Sequence, residues 1–322
     1  MWDWGNMRKY VYIGLVVLVV LMVYGTYDYY TYTSDTIIVG YLPSNHHSAL
    51  FVANALGMYQ KEGIKVQMVP FKNGAEMMDA ANKNQIDVGF CGITPITSSI
   101  DKNSTVKIVA PVNEEGSGIV VKNSSNITNV TNLAGNTILE PGPGSIQDVL
   151  LRYLLLKNNI STSNIKISKM EVPLMQEAID NGNVTGYIAW EPYVTQANFT
   201  GNDRVLVYSE DLWNDHPCCV IFATQDMMTK HPEQLRKFLK VHTEATNYIN
   251  SNLNDTALIV SKKLGTNYNI ELESLKHVEF IAKPSDDYDN NLMELVNLQK
   301  HFGYVNNNLT LSQIVDYSFL PG

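Results

Sequence analysis

Cysteine is scarce in this chain, which has only Cys91, Cys218 and Cys219 in 322 residues. Three cysteines cannot build a disulfide framework, so cross-links do not explain the stability of the fold. A chain of this length can instead bury one large apolar core or two medium ones. An apolar share of 45% and a charged share of 17% indicate a globular protein without a disordered block.

Basic clusters are also missing. The net charge is -9, and lysine and arginine form no run longer than two residues, such as Arg8-Lys9. Nucleic-acid binding requires a basic surface, so a nucleic-acid partner is not expected. Motifs for catalysis and nucleotide binding are absent as well: there is no Gly-x-Ser-x-Gly, no Walker loop and no Gly-x-Gly-x-x-Gly. We therefore predict no catalytic residue, no cofactor and no enzymatic activity.

An uncharged stretch lies near the N-terminus, from Tyr10 to Gly25, directly after Arg8-Lys9. At about 1.5 Å per residue it is slightly short for a hydrocarbon core of about 30 Å, but flanking aromatic residues can lie at the interfaces. Because basic residues stay on the cytoplasmic side, residues 1–35 are predicted to form an uncleaved single-pass membrane anchor and stalk. The soluble part then lies outside the cytoplasm. A cleaved signal peptide is the alternative, but the stretch lacks a small-x-small cleavage pattern.

The soluble part is organised around the stretch from Gly57 to Pro95. An alternating strand, Ile64 to Val69, is followed by a short helix near Ala75 to Ala81 and by a second strand, Asp87 to Cys91. This succession of strand, helix and strand with short connections predicts a parallel sheet in an α/β fold. Thr94 then lies at the carboxyl end of the second strand, the edge where open α/β sheets bind ligands.

Two parts of this stretch, GMYQKEGIKV at residues 57–66 and NQIDVGFCGITP at residues 84–95, resemble the substrate-binding proteins of nitrate/sulfonate/taurine-type ABC importers. The resemblance extends from Thr36 to the C-terminus and includes the related family that binds thiamine pyrimidine precursors. It implies a two-lobed periplasmic-binding-protein type 2 fold with a ligand cleft between the lobes. It also implies an extracytoplasmic solute-binding protein whose partners are an ABC permease and its ATPase subunit.

Two lobes are also predicted from the repeated alternation of strands and helices. Lobe 1 is expected to comprise residues 36–121 and 217–322, and lobe 2 residues 122–216. The first crossing is then close to Lys122, and the return leads into a strand from Val220 to Ala223. Two crossings predict a hinge of two strands, and closure of such a hinge around a ligand is the usual behaviour of this architecture.

The turn Gly142-Pro143-Gly144-Ser145 lies between a predicted strand and a predicted helix. Its free N–H groups and the Ser145 hydroxyl suit an oxyanion such as sulfonate, nitrate or carboxylate, although an ordinary capped turn has the same sequence. In the resembled family this loop borders the ligand, which implies contact here. Thr94 has the equivalent place in lobe 1.

The stretch WEPY at residues 190–193 resembles the strand-end motif that lines the family's cleft from lobe 2. Trp190 could equally belong to the core, whereas Glu191 needs a partner if it is buried. Since the cleft motifs contain no lysine or arginine, we expect helix termini and hydroxyls to hold an anion, and Glu115 or Glu191 to favour an amino group. A zwitterion such as taurine, or an aminopyrimidine, fits this set better than nitrate. A main cleft contact from Arg152 or Lys72 would contradict it.

The complete set of predicted ligand-binding residues is Ser44, Asn45, His46, Thr94, Glu115, Ser117, Gly144, Ser145, Trp190, Glu191 and His216. The predicted ligand is a small polar organic anion or zwitterion of the sulfonate, taurine or nitrate kind.

A competing interpretation is a metal site, because imidazoles and thiols together suit zinc, nickel or copper. The residues of this candidate site are His46, His47, His216, Cys218 and Cys219. Its spacing matches no metal motif, and neighbouring side chains of a strand point to opposite faces, which would separate the two thiols. We therefore expect buried thiols, hydrogen-bonding histidines and no metal ligand. The alternative functions are binding of a thiamine pyrimidine precursor, a metal-binding or sensory surface protein that uses these residues, and an enzyme on the same scaffold.

Overall fold

The computed structural model describes residues 12–22, 36–182 and 184–322, and its alternating strands and helices confirm the α/β class. The strands are β1 (Thr36–Tyr41), β2 (Lys65–Pro70), β3 (Val88–Gly92), β4 (Lys107–Glu115), β5 (Ser117–Lys122), β6 (Thr137–Glu140), β7 (Lys166–Lys169), β8 (Gly186–Trp190), β9 (Asp203–Tyr208), β10 (Pro217–Ala223) and β11 (Val278–Phe280). The helices are α1 (Ser48–Ala55), α2 (Met58–Lys61), α3 (Gly74–Asn82), α4 (Ile93–Asp101), α5 (Ile146–Lys157), α6 (Val172–Asp180), α7 (Tyr193–Thr200), α8 (Ser209–Leu212), α9 (Gln225–Lys230), α10 (Pro232–Ser251), α11 (Leu253–Leu264), α12 (Tyr268–Ser274), α13 (Asp286–His301) and α14 (Leu311–Ile314).

The first sheet has six strands in the order β11-β4-β10-β3-β1-β2, and we call the part of the molecule built on it lobe 1. Strand β1 is parallel to β2 and β3, as the strand–helix–strand pattern predicts. Strand β10 lies antiparallel between β3 and β4. Every residue of β10 is buried, which fits a central strand covered on both faces.

The second sheet has five strands in the order β7-β6-β8-β5-β9, and we call the part built on it lobe 2. Strand β6 is parallel to β7 and β8, whereas β5 runs antiparallel to β8 and β9. The parallel strands of both sheets end at the edges that face the other lobe. These edges are where the loops of a ligand site are expected.

The chain passes from the first sheet to the second between β4 and β5. Glu115 and Gly116 have φ angles of 62° and 83° and form the turn between the strands. The strand pairing places the crossing at Gly116 and not close to Lys122, because β5 pairs entirely within the second sheet. The return runs through residues 213–216 into β10, which begins at Pro217, three residues before the predicted start at Val220.

At the N-terminal side, residues 12–22 are helical, and their apolar side chains are exposed. Within residues 12–22, 36–182 and 184–322, no helix combines the length and the apolar character needed to cross a membrane. The predicted anchor segment from Tyr10 to Gly25 extends beyond the described helix at both ends. The structure therefore gives the predicted membrane span no support.

Candidate functional site

A small space, which we call the inner cavity, lies between the two lobes. Its volume is about 40 Å³. Loops after β1 and β2, the end of β3 and the start of β10 border it from lobe 1, and the loop after β6 and the end of β8 border it from lobe 2. Its lining residues are Leu42, Ser44, His46, His47, Asn73, Gly74, Gly92, Pro95, Pro141, Ser145, Ile146, Gln147, Trp190, Cys218 and Cys219.

A wider space of about 470 Å³, the outer cleft, adjoins the inner cavity and shares Asn73, Gly74, Pro95, Pro141 and Ser145 with it. The turn from Pro141 to Ser145 and Tyr304 line it as well. The Tyr304 hydroxyl donates a hydrogen bond to Asp148 across the two lobes. The site thus has a narrow inner part and a wide outer part, both formed by the two lobes together.

Ser44 joins the two lobes at the inner cavity. Its side chain caps the short helix at residues 45–47 by accepting from the His46 N–H at 3.2 Å. The same hydroxyl donates to the carbonyl of Glu191 in lobe 2 at 3.1 Å. Because capping residues lie at helix N-termini, the sequence Pro-Ser-Asn after β1 places this hydroxyl at the carboxyl end of the strand.

Helix α5 approaches the inner cavity with its N-terminus. Ser145 caps it by accepting from the Asp148 N–H at 3.2 Å, and Ser145, Ile146 and Gln147 all line the inner cavity. The amide of Gln147 donates to the Ser117 hydroxyl at 2.9 Å, which fixes the first turn against β5. A helix N-terminus carries partial positive charge and unpaired N–H groups, so this end of the cavity suits an oxyanion.

His46 and the two adjacent cysteines form a buried cluster on the lobe 1 side of the inner cavity. The Nδ1 atom of His46 lies 3.5 Å from the sulfur of Cys218 and 3.6 Å from that of Cys219, and the sulfurs are 3.9 Å apart. A hydrogen bond with Cys219 is the main cause that lowers the pKa of the Cys218 thiol, and the charge of His46 adds to it. His216 is buried nearby, but it does not line the cavity.

The expectation that the two thiols are on opposite faces of a strand is wrong. The pairing of β10 with β4 shifts register between Pro217 and Cys219 and again between Cys219 and Val220. Such an irregularity re-aims a side chain, because two residues of one strand oppose one residue of the other. Both sulfurs can therefore approach the same imidazole nitrogen.

Glu115 and Glu191 are buried carboxyl groups that do not line the inner cavity. Glu191 accepts hydrogen bonds from the N–H and the hydroxyl of Thr195, at 3.0 and 2.8 Å. Burial raises the pKa of Glu191 to about 8. Glu115 accepts from the Asp215 N–H at 2.9 Å, and burial, helped by neighbouring carboxylates, raises its pKa to about 7.

Only some of the predicted ligand-binding residues line the inner cavity or the outer cleft. Four of them line the inner cavity: Ser44, His46, Ser145 and Trp190. Gly144 lines the outer cleft together with Ser145. The remaining members border neither space: Asn45, Thr94, Glu115, Ser117, Glu191 and His216. Contact with a ligand stays a prediction for the whole set.

The sequence reasoning left several lining residues out of the predicted ligand site, among them Asn73, Gln147, Cys218 and Cys219. Asn73 lies in the short loop after β2 and could have been found by the rule that placed Thr94 after β3. Lysine and arginine are absent from the residues that line the inner cavity. Arg152 pairs with Asp148 and Lys72 with Glu171, each at 2.8 Å.

Comparison with known proteins finds relatives that are named as binding proteins and one that is named as an enzyme. A putative aliphatic sulfonates-binding protein of Bacillus subtilis is 24% identical over 281 residues, which are 85% of this chain and 84% of the relative. A yeast (Saccharomyces cerevisiae) protein named 4-amino-5-hydroxymethyl-2-methylpyrimidine phosphate synthase is 23% identical over 66% of each chain.

Solved structures show the same fold. The ligand-binding component of an ABC-type import system from Staphylococcus aureus, with zinc bound, matches with a TM-score of 0.79 and 21% identity over 88% of this chain and 97% of that one. The periplasmic nitrate-binding protein of Synechocystis matches with a TM-score of 0.77 and 16% identity over 88% and 87%. These likenesses confirm the periplasmic-binding-protein fold expected from the sequence.

The sequence model of one protein family matches most of the chain. The match spans residues 32–261, which include β1 to β10, both crossings between the sheets and every residue that lines the inner cavity. This protein therefore belongs to the NMT1-like family.

Proposed function

We propose that this protein is the solute-binding component of an ABC importer and that the space between its lobes holds the solute. The observation that carries the proposal is the inner cavity, which is lined by residues of both lobes at the ends of their strands. Such a site forms when two lobes close on a small molecule. The names of the sulfonate-binding and nitrate-binding relatives support the same role. An ABC permease and its ATPase subunit are then the partners.

The solute that fits is a small polar organic anion or zwitterion. A water molecule needs about 10–15 Å³ of such a space, so the inner cavity of about 40 Å³ admits a group of only a few atoms. The N-terminus of α5 and the Trp190 side chain border this space, and the Nε1 atom of Trp190 has no partner within the described residues. An anionic head group would lie there, and the rest of the solute would extend into the outer cleft.

Thermal unfolding of the full chain with a panel of solutes tests this proposal. The panel holds taurine, alkanesulfonates, nitrate, bicarbonate and an aminopyrimidine. A ligand at 100-fold its dissociation constant adds about 2.7 kcal/mol to the free energy of unfolding, which gives a clear shift. We expect a shift with a sulfonate or taurine. No shift with any member would contradict the proposal, and conversion of a bound compound into a product would favour an enzyme instead.

We also propose that the N-terminal segment holds the protein at the outer face of the cell membrane. The large apolar side chains of residues 12–22 have exposed fractions between 51% and 66%, so a membrane would cover them favourably. Fractionation of cells that express the full chain tests this, because release of the protein without detergent would contradict it.

A further inference from the structure

The cluster of His46, Cys218 and Cys219 has the composition of a metal site. It combines one imidazole and two thiols, all three buried, and all three line the inner cavity. The cysteines are free. Thiolate and imidazole together select soft or borderline ions such as Zn²⁺ and Cu⁺ over Mg²⁺ or Ca²⁺. We propose that these three residues bind one thiophilic metal ion, Zn²⁺ or Cu⁺, at the inner end of the cavity.

The distances between the three ligand atoms fit such an ion closely. Bonds of about 2.3 Å to sulfur and about 2.0–2.1 Å to nitrogen at tetrahedral angles require about 3.8 Å between sulfurs and about 3.6 Å between sulfur and nitrogen. The observed separations are 3.9 Å between the sulfurs, and 3.5 and 3.6 Å from the sulfurs to Nδ1. The three ligand atoms therefore already have the mutual spacing that a bound ion requires.

The imidazole of His46 is held in the orientation that a ligand needs. Its Nε2 atom donates to the carbonyl of Gly116 at 2.8 Å, which leaves the lone pair of Nδ1 directed at the thiols. Metal-binding histidines usually donate their second N–H in this way, which fixes the ring and its tautomer. Gly116 has a φ angle of 83°, and a Cβ atom there would lie 2.3 Å from Nε2. The backbone at the crossing between the lobes is thus shaped around this ring.

One coordination position of the ion would be open to the cavity. Three protein ligands leave a tetrahedral ion one free position, the arrangement that metal sites use when they bind a further molecule. Two thiolates neutralise a divalent ion, so the site offers a coordination bond rather than a net positive charge. Because lysine and arginine are absent from the residues that line the inner cavity, a metal-bound position gives an oxygen or nitrogen donor of the solute a strong contact. This role rests on the proposed function, whereas metal binding itself does not.

Metal titration of the full-length, reduced, metal-free chain tests the proposal. Zn²⁺ and Cu⁺ affinities are measured by competition with chromophoric chelators, and Co²⁺ serves as a spectroscopic probe, since thiolate ligation gives intense near-ultraviolet absorption. The variants are C218S, C219S and H46Q. The matched control is C91S, because Cys91 is equally buried in the neighbouring strand β3 but lies outside the cluster.

We expect wild type and C91S to bind one equivalent of Zn²⁺ or Cu⁺ and to show thiolate-to-cobalt absorption. Loss of outer hydrogen-bonding partners of a site typically costs about 10–100-fold in affinity, so loss of a ligand in C218S or C219S should cost more than about 100-fold. Circular dichroism of each metal-free variant separates misfolding from loss of a ligand. Equal affinities of wild type and C218S, or the absence of metal binding by folded wild type, would overturn the proposal.

The thermal-shift panel, run on the same preparations, separates this inference from the proposed function. A chain that binds an alkanesulfonate but no metal overturns the metal site and leaves the importer role intact. A chain that binds metal through both cysteines but no organic solute supports the metal site and contradicts the proposed class of solute.

Discussion

Gly116 is the residue on which the geometry of the candidate site depends most directly. It follows the last residue of β4, begins the crossing to lobe 2 and accepts the hydrogen bond from His46 at 2.8 Å. Only glycine takes its φ angle of 83° without strain, and only glycine leaves room for the ring. A single backbone position therefore links the connection between the lobes to the orientation of a cavity side chain.

Gly116→Ala should destabilise the protein and weaken solute binding. The added Cβ atom would lie 2.3 Å from Nε2 of His46 and 2.9 Å from Val278. Strain at positive φ and overpacking each cost about 1–3 kcal/mol, so we expect a loss of roughly 2–4 kcal/mol in urea unfolding. Gly135→Ala is the control, since Gly135 has a φ angle of 81° and nothing within 4 Å of a Cβ atom. Equal losses in the two variants would show that the contact with His46 does not matter.

At the scale of single residues, sequence reasoning reached the polar groups that follow parallel strands. Ser44, His46 and Ser145 line the inner cavity because each belongs to a loop or cap at a strand's carboxyl end. The joint approach of Cys218 and Cys219 to His46 could not be predicted. It depends on register shifts between β10 and β4, which lie far apart in the sequence, and local alternation gives no sign of them.

At the scale of elements, the ends of β2 and β7 carry an ion pair between the lobes. Lys72 follows β2, Glu171 follows β7, and their charged atoms are 2.8 Å apart. Both side chains are well exposed, at 64% and 46%, so solvent screens the pair and it contributes little to stability. Because the two residues belong to different sheets, this small energy favours contact between the lobes over an open arrangement.

Lys72→Ala should speed solute release while leaving overall stability almost unchanged. Because an exposed ion pair is weak, its loss from the contact between the lobes should make dissociation only about 2–5-fold faster. Stopped-flow tryptophan fluorescence can follow release, since Trp190 lines the inner cavity. Lys230→Ala is the control, because Lys230 and Asp226 have the same exposures of 64% and 46% but belong to one helix. An equal change in release for both variants would contradict a role in closure.

The two-sheet architecture of the whole molecule could be anticipated, because strand and helix periods and the family resemblance agree over most of the chain. The position of the first crossing could not. Strands β4 and β5 are separated by a single residue, Gly116, so no linker of any length marks the crossing in the sequence. Pairing partners alone decide that β5 belongs to the second sheet, and these partners, β8 and β9, come much later in the chain.

Four buried carboxyl groups should make the stability of the whole molecule depend on pH. Burial raises the pKa of Glu191 to about 8, and raises those of Glu114, Glu115 and Glu140 to about 7, from an ordinary value of 4.5. Below pH 4.5 these groups are protonated in both the folded and the unfolded chain, so they do not make the free energy of unfolding change with pH there. As the pH rises, they ionise first in the unfolded chain, which lowers the free energy of unfolding until the folded pKa values are passed.

We therefore expect stability to fall between about pH 5 and pH 8, with a contribution from Glu191 on the order of a few kcal/mol. Glu191→Gln keeps the size of the side chain and an acceptor for the Thr195 N–H, but it removes the ionisation. Urea unfolding of this variant should depend less on pH than that of wild type, and its relative gain in stability should be largest near pH 8.

The exposed carboxylate Glu177 provides the matched comparison, since Glu177→Gln removes one negative charge from lobe 2 at the surface of α6. The free energy of unfolding of Glu191→Gln is plotted against pH with those of wild type and Glu177→Gln. Three parallel curves would mean that Glu191 ionises equally in the folded and unfolded chains. A flatter profile for Glu191→Gln alone would show that lobe 2 holds a neutral carboxylic acid next to the Ser44 contact. In that case, raising the pH towards 8 would weaken the contact between the lobes that the proposed site requires.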